Sequence, residues 1–185
     1  MKIMVTGNMG YIGPVLMSAL KEKGYDVIGY DSGYFAENLL EEINEDYLQI
    51  TKDIRDITKK DLAGIDTIIH LAGLSNDPLG EFSPKLTEDI NYIGTMQLAE
   101  MAKDVGVSRF VYASSQSMYG VSDTSSELDE DNSEKNPVTA YAIAKWNAEQ
   151  QLHSMITDDF VVTSLRPSTV FGASPRLRCD IVFNN

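Results

Sequence analysis

The sequence predicts an α/β fold in three layers: a doubly wound parallel sheet with helices on both faces. Three observations carry this. Six short apolar runs, at residues 3–5, 27–30, 47–50, 67–71, 110–113 and 160–165, have the length and composition of buried strands. Segments of helical period lie between them, at 12–22, 86–105 and 138–155, with a short turn at 58–62. Alternation of this kind calls for crossovers that cover both faces of a parallel sheet. The third observation is a glycine-rich turn placed directly after the first run.

Composition sets the outer bounds. A chain of 185 residues, 43% hydrophobic, can bury one substantial core. No internal repeat interrupts it. The formal net charge is −13 and Lys and Arg are nowhere clustered. Binding to nucleic acid needs such a cluster to displace counterions, so nucleic acid is not an expected partner. Cys179 is the single cysteine. It forms no internal disulfide, no Cys/His set has metal-ligand spacing, and no metal is expected. A reducing cytoplasm suits such a chain. Residues 1–5 already read as a strand and lack the sections of a signal peptide. No apolar run approaches the roughly 18 residues that would span a bilayer, so no membrane partner is expected either.

The turn reads Thr6-Gly7-Asn8-Met9-Gly10-Tyr11-Ile12-Gly13, with a strand before it and a helix after it. Gly7 permits the tight turn, Gly10 lets the backbone approach a pyrophosphate, and Gly13 lets helix and strand pack closely. Free N–H groups at the helix N-terminus favour the anion. Pro14 suits the first helical turn, where its missing N–H costs little. Asp31 ends the second run, 18 residues after Gly13. A carboxylate there accepts hydrogen bonds from both ribose hydroxyls and repels a 2′-phosphate, which selects NAD over NADP. The expected architecture is therefore Rossmann-type. Asp53-Ile54 follows the third run and either brackets the adenine or simply ends the strand. His70-Leu71-Ala72-Gly73 follows the fourth. Small Ala72 and Gly73 let a flat cofactor lie against the backbone, and His70 reads as a core histidine, not a catalyst.

Tyr141 and Lys145 stand four residues apart in a predicted helix, hence on one face. The ammonium favours the phenolate, so the tyrosine can act as a general base near neutral pH. Ser114-Ser115 follows the fifth run, at the same sheet edge, and offers a hydroxyl to a substrate oxygen. The competing reading is a surface tyrosine, a surface lysine and a capping serine. The order of all these features along the chain favours chemistry.

Two segments break the alternation. Residues 37–46 are acidic, a short helix or a loop. Residues 122–136 are polar and acidic, a solvated loop or the rim of a ligand crevice. After Arg166-Pro167-Ser168-Thr169-Val170-Phe171-Gly172 no closing helix or strand is evident, and the chain reads as cut short at Asn185.

Taken together, Thr6–Gly13, Asp31, Asp53-Ile54, Leu71-Ala72-Gly73, Asn91, Ser114-Ser115 with Met118-Tyr119-Gly120, Tyr141–Lys145 and 165–172 resemble the extended short-chain dehydrogenase/reductase family. The resemblance covers the chain from Met1 to Asn185. Within that family it points to the NAD-dependent epimerase/dehydratase type, which includes the UDP-glucose 4-epimerases. It implies a homodimer acting on a nucleotide sugar. It also implies roles: Ser115 as the catalytic Ser/Thr, Tyr141 as acid and base, and Lys145 on the nicotinamide ribose. Tyr11 and Ile12 supply backbone to the pyrophosphate, and Asn91 orders the active-site helix. Ser168 and Thr169 line the nicotinamide and sugar pocket beside Gln116, and Asn184 opens the segment that grips the nucleotide. Residues 1–172 are then the NAD-binding domain and 173–185 the start of a substrate-binding region that is largely missing.

One departure matters. Nucleotide-sugar 4,6-dehydratases carry Asp-Glu after the catalytic Thr, where this chain has Gln116 and Ser117, a poor acid and base. The leading expectation is a nucleotide-sugar epimerase or related oxidoreductase. A net NAD-dependent reductase on the same scaffold and a catalytically silent NAD-binding module are the alternatives.

Overall fold

A computed structural model describes residues 1–41, 46–75, 77–121 and 127–178. Six parallel strands, β1 (Lys2–Thr6), β2 (Asp26–Asp31), β3 (Leu48–Thr51), β4 (Thr67–His70), β5 (Arg109–Ala113) and β6 (Val161–Leu165), form one sheet in the order β3-β2-β1-β4-β5-β6. All six predicted runs are strands, each within a residue of its expected place. The order reverses at β1, whose neighbours are β2 on one side and β4 on the other.

The helices are α1 (Gly13–Glu22), α2 (Asp77–Phe82), α3 (Pro84–Glu88), α4 (Thr95–Asp104) and α5 (Ala140–Ser154). The predicted helix at 86–105 is present but not uniform. A π segment, Asp89–Gly94, joins α3 to α4. Helix α2 lies outside the predicted set. It is only six residues long and opens with Asp-Pro, so it carries too little apolar period to be recognised.

Alternation along each strand builds the layers. Met4, Ile28, Tyr30, Ile68, Phe110, Tyr112 and Val162 point to one face and pack with Leu98, Ala102, Ala148 and Leu152 of α4 and α5. Ile3, Val5 and Val27 point to the other and pack against Met17 of α1. That second face is unevenly covered. Val161 and Leu165 on β6 remain 47% and 54% exposed, so among the described residues the layer of α1 covers β2, β1 and β4 and leaves β6 open.

Residues 173–178, expected to begin a separate region, lie against the first turn and the loop after β2. The Ser174 hydroxyl donates to Tyr11 O at 2.7 Å, and Leu40 N–H donates to Pro175 O at 2.8 Å. The Arg176 guanidinium sits 4.2 Å from the Phe35 ring centroid. Of the undecided segments, the described parts of 37–46 and 122–136 are turns, bends and irregular chain. Cys179, Asn184 and Asn185 lie outside the described residues. Among the described residues no helix is long and apolar enough to cross a membrane.

Candidate active site

Every predicted site residue among the described ones stands at or beyond a strand's carboxyl end, or on the helices packed beside those ends. This edge, at the point where strand order reverses, is where open α/β sheets bind ligands. Gly7 follows β1 with φ +74°, and a Cβ there would lie 2.6 Å from Ala72 N. The turn after β1 and the turn after β4 therefore touch backbone to backbone. At Gly13 a Cβ would meet Asn8 O at 2.3 Å, so the start of α1 packs directly on the turn after β1 rather than on a strand. A Cβ on Gly10 would meet only Gly7 O, at 3.2 Å, so the remaining side of that residue faces open space. Helix α1 begins without a side-chain cap. No side chain of the helix's own N-cap therefore occupies its amino end, which suits an anion such as a pyrophosphate.

Asp31 holds the lip of this glycine turn in place. One carboxylate oxygen accepts from Met9 N–H at 3.0 Å and the other from Gly33 N–H at 2.9 Å. Each oxygen keeps a lone pair for a further donor. Asp53 caps the turn Ile54–Asp56 and forms an ion pair with Arg55 at 2.7 Å. The arginine holds its carboxyl below the usual range. The Ile54 side chain is buried in the core. These two neighbours of the third strand thus carry structural contacts of their own.

Lys145 is the electrostatic centre. It is 5% exposed, and its Nζ donates to Ala113 O at 2.8 Å at the end of β5. Nζ lies 4.8 Å from the Tyr112 ring centroid and 5.9 Å from that of Tyr141. Burial pulls its pKa down to about 8. Ser115, also buried, donates its hydroxyl to Ser117 Oγ at 3.0 Å and accepts from Ser117 N–H. A groove of about 390 Å³ opens beside Gln116 and Ser117, walled by Val121, Leu128 and Val138. Ser168 and Thr169 follow β6 as exposed, irregular chain. The structure thus gathers Ser115, Tyr141 and Lys145 between β5 and α5, on the edge that also carries the glycine turn.

Sequence reasoning missed two supports of the site. Asn8, fully buried inside the glycine turn, donates through Nδ2 to Gln49 Oε1 at 2.7 Å. Gly29 makes room for this pair, since a Cβ there would lie 2.3 Å from Asn8 Nδ2. A glycine inside a buried strand was the available signal. The other is Arg166. It donates to Glu149 Oε1 at 3.0 and 2.6 Å and to the Tyr119 hydroxyl at 2.8 Å. That contact ties β6, α5 and the turn Gln116–Tyr119 together. Nothing local in the sequence pairs Arg166 with a glutamate 17 residues earlier.

With this geometry in place, likeness to known proteins is decisive. Residues 3–182 match the NAD dependent epimerase/dehydratase family. The chain belongs to that family. It is 32% identical over 185 aligned positions to a UDP-glucose 4-epimerase of Mycolicibacterium smegmatis, covering 93% of this chain and 57% of that protein. Among solved structures it resembles MoeE5 in complex with UDP-glucuronic acid and NAD, with a TM-score of 0.85 and 28% identity, over 100% of this chain and 59% of that one. It also resembles the UDP-glucose 4-epimerase of Thermotoga maritima bound to UDP-glucose (TM-score 0.76, 26% identity, 90% and 55% coverage). The chain thus spans a little over half the length of these relatives.

His70 is fully buried and carries hydrogen bonds at both ring nitrogens, as a core histidine should. Burial, aided by the nearby Lys145 charge, pulls its pKa from 6.5 to about 3. The unfolded chain therefore binds the extra proton first as pH falls. Stability from this residue is complete above about pH 6.5 and is lost progressively toward pH 3, by about 1.4 kcal/mol per pH unit. Denaturant titrations between pH 3 and 7 of the wild type and of His70→Gln should differ in slope by about that amount per pH unit, the wild type being the steeper. Equal slopes would contradict the assignment.

Proposed function

We propose that this chain carries the cofactor-binding and catalytic residues of a nucleotide-sugar epimerase that uses NAD. The observation that carries this reading is Lys145, buried one helical turn from Tyr141 and bonded to Ala113 O, two residues before Ser115 at the end of β5. When bound, NAD supplies a hydride acceptor that later returns the hydride to the opposite face of the sugar carbon.

The protein's own residues do the rest. The turn of Gly7, Gly10 and Gly13, with backbone of Tyr11 and Ile12, holds the pyrophosphate. Asp31 takes the adenosine ribose, and Asp53 with Ile54 the adenine. Leu71, Ala72 and Gly73 form the shelf beneath the cofactor, ordered by Asn91. Tyr141 removes the proton from the sugar hydroxyl and gives it back. Lys145 stabilises the phenolate and binds the nicotinamide ribose. Ser115 donates to the same sugar oxygen, with Gln116, Ser168, Thr169 and Asn184 around the substrate. Gln116 and Ser117 offer no carboxyl group for the loss of water, which favours epimerisation over dehydration. On this reading residues 1–172 are the cofactor domain and 173–185 open the substrate region.

A homodimer is part of the proposal. Leu98 and Ala102 of α4 are fully buried, while Ile93 and Ile143, on the outer side of the π segment and α5, are 41% and 43% exposed. That outer face fits a second copy. Sedimentation at micromolar concentration should show the dimer, and a monomer alone would defeat this part.

Activity is tested in the natural gene product that carries this sequence, with nucleotide sugars as substrates and product stereochemistry as readout. Tyr141→Phe should lower turnover by about 10²–10⁴-fold and leave NAD affinity nearly intact. Lys145→Ala should weaken both. Ser115→Ala should lower turnover alone. A Tyr141→Phe variant keeping more than about a tenth of the wild-type rate would remove the tyrosine as base.

A further inference from the structure

Six residues form a closed circuit of hydrogen bonds beneath the proposed cofactor shelf. It begins at Ala72, whose N–H donates to Thr6 Oγ1 at 3.4 Å. Thr6 Oγ1 lies 2.6 Å from His70 Nδ1, and His70 Nε2 lies 2.8 Å from Thr95 Oγ1. The Thr95 hydroxyl donates to Asn91 O at 2.9 Å. The Asn91 side chain then returns to the shelf. Its Oδ1 accepts from Leu74 N–H at 2.8 Å and its Nδ2 donates to Leu74 O at 2.9 Å. Gly73 sits between the two ends, and a Cβ there would lie 2.8 Å from Asn91 Oδ1.

The circuit has one consistent direction. The Thr95 proton is committed to Asn91 O, so Thr95 Oγ1 must accept from His70, and Nε2 carries the ring proton. Nδ1 is then bare and accepts from Thr6, which leaves Thr6 Oγ1 to accept from Ala72 N–H. A neutral imidazole is the side chain that offers one donor and one acceptor on opposite corners of a rigid ring. A second ring proton would face the Thr6 hydroxyl and reverse it. The chain crosses β1, β4 and the start of α4, and its Thr95–Asn91 step is the i to i−4 back-bond that threonines commonly make in helices.

We propose that His70 is a positioning residue which, through Thr6 on one side and Thr95 with Asn91 on the other, fixes both ends of the Ala72–Gly73–Leu74 shelf. The inference rests on the reading of that shelf as the floor of the NAD site. It assigns His70 no contact with the reacting atoms. Its role is to keep the backbone from moving where a flat ligand must lie close to it.

Thr95→Val removes the relay hydroxyl and keeps the shape, and Thr95→Ser keeps the hydroxyl. Thr67→Val is the control, because the Thr67 hydroxyl is buried on the same sheet with no hydrogen-bond partner among the described residues. NAD titration by calorimetry well below the melting temperature should show Thr95→Val weakened about tenfold, the equivalent of one hydrogen bond. Thr95→Ser and Thr67→Val should stay within about twofold of wild type, below the range of one such bond. Amide exchange at Leu74 should quicken in Thr95→Val alone. A Thr95→Val protein with wild-type affinity and wild-type Leu74 exchange overturns the inference. If the wild-type chain bound no NAD, the proposed function would fail instead. The exchange at Leu74 would still decide whether the circuit holds the shelf.

Discussion

The site depends on the contact between the turn after β1 and the turn after β4. Gly7 and Ala72 meet so closely that no side chain fits between them. The contact arises where strand order reverses, because β1 is hydrogen-bonded to β2 and β4 and its loop must leave between them. A crevice opens there by topology alone. The glycine lip, the small residues of the shelf and the buried Thr6–His70 pair all exist to let two backbones share that space. The Asn8–Gln49 pair extends the same logic to β3, with Gly29 left bare beneath it.

Charge is managed with equal economy. Lys145 is buried, and burial disfavours its charged form. Three features offset this: the Ala113 carbonyl, the face of Tyr112, and a His70 that stays neutral. A partly buried cation, Arg166, is matched by the buried Glu149 at 2.6 Å. A buried pair of this kind is weak evidence of added stability. Its geometry does join α5 to Tyr119, and so keeps the Ser115 turn against the helix that bears Tyr141 and Lys145.

The sheet was legible because its strands are short apolar runs separated by helical period, and the central ones are buried on both faces. The glycine turn was legible because three glycines at fixed spacing answer three separate steric demands. Tyr141, Lys145 and Ser115 could be placed on one edge because strand ends and helix faces follow from period alone. What could not be read depends on contacts between distant residues. Asn8 meets Gln49 across 41 positions, and His70 meets Thr6 across 64. The π segment was hidden because its residues keep an ordinary helical pattern while the backbone widens around Asn91. The fold of residues 173–178 onto Tyr11 was equally hidden, since Ser174 and Arg176 carry no periodic signal.

Asp31 links fold and proposed cofactor site most tightly, since the carboxylate that holds the glycine lip is also the one proposed to take the ribose. Parallel calorimetric titrations of the chain with NAD and NADP test this most directly. The account predicts tighter binding of NAD, because a 2′-phosphate would be brought against a carboxylate already fixed by Met9 and Gly33 N–H groups. Equal or tighter binding of NADP would contradict it.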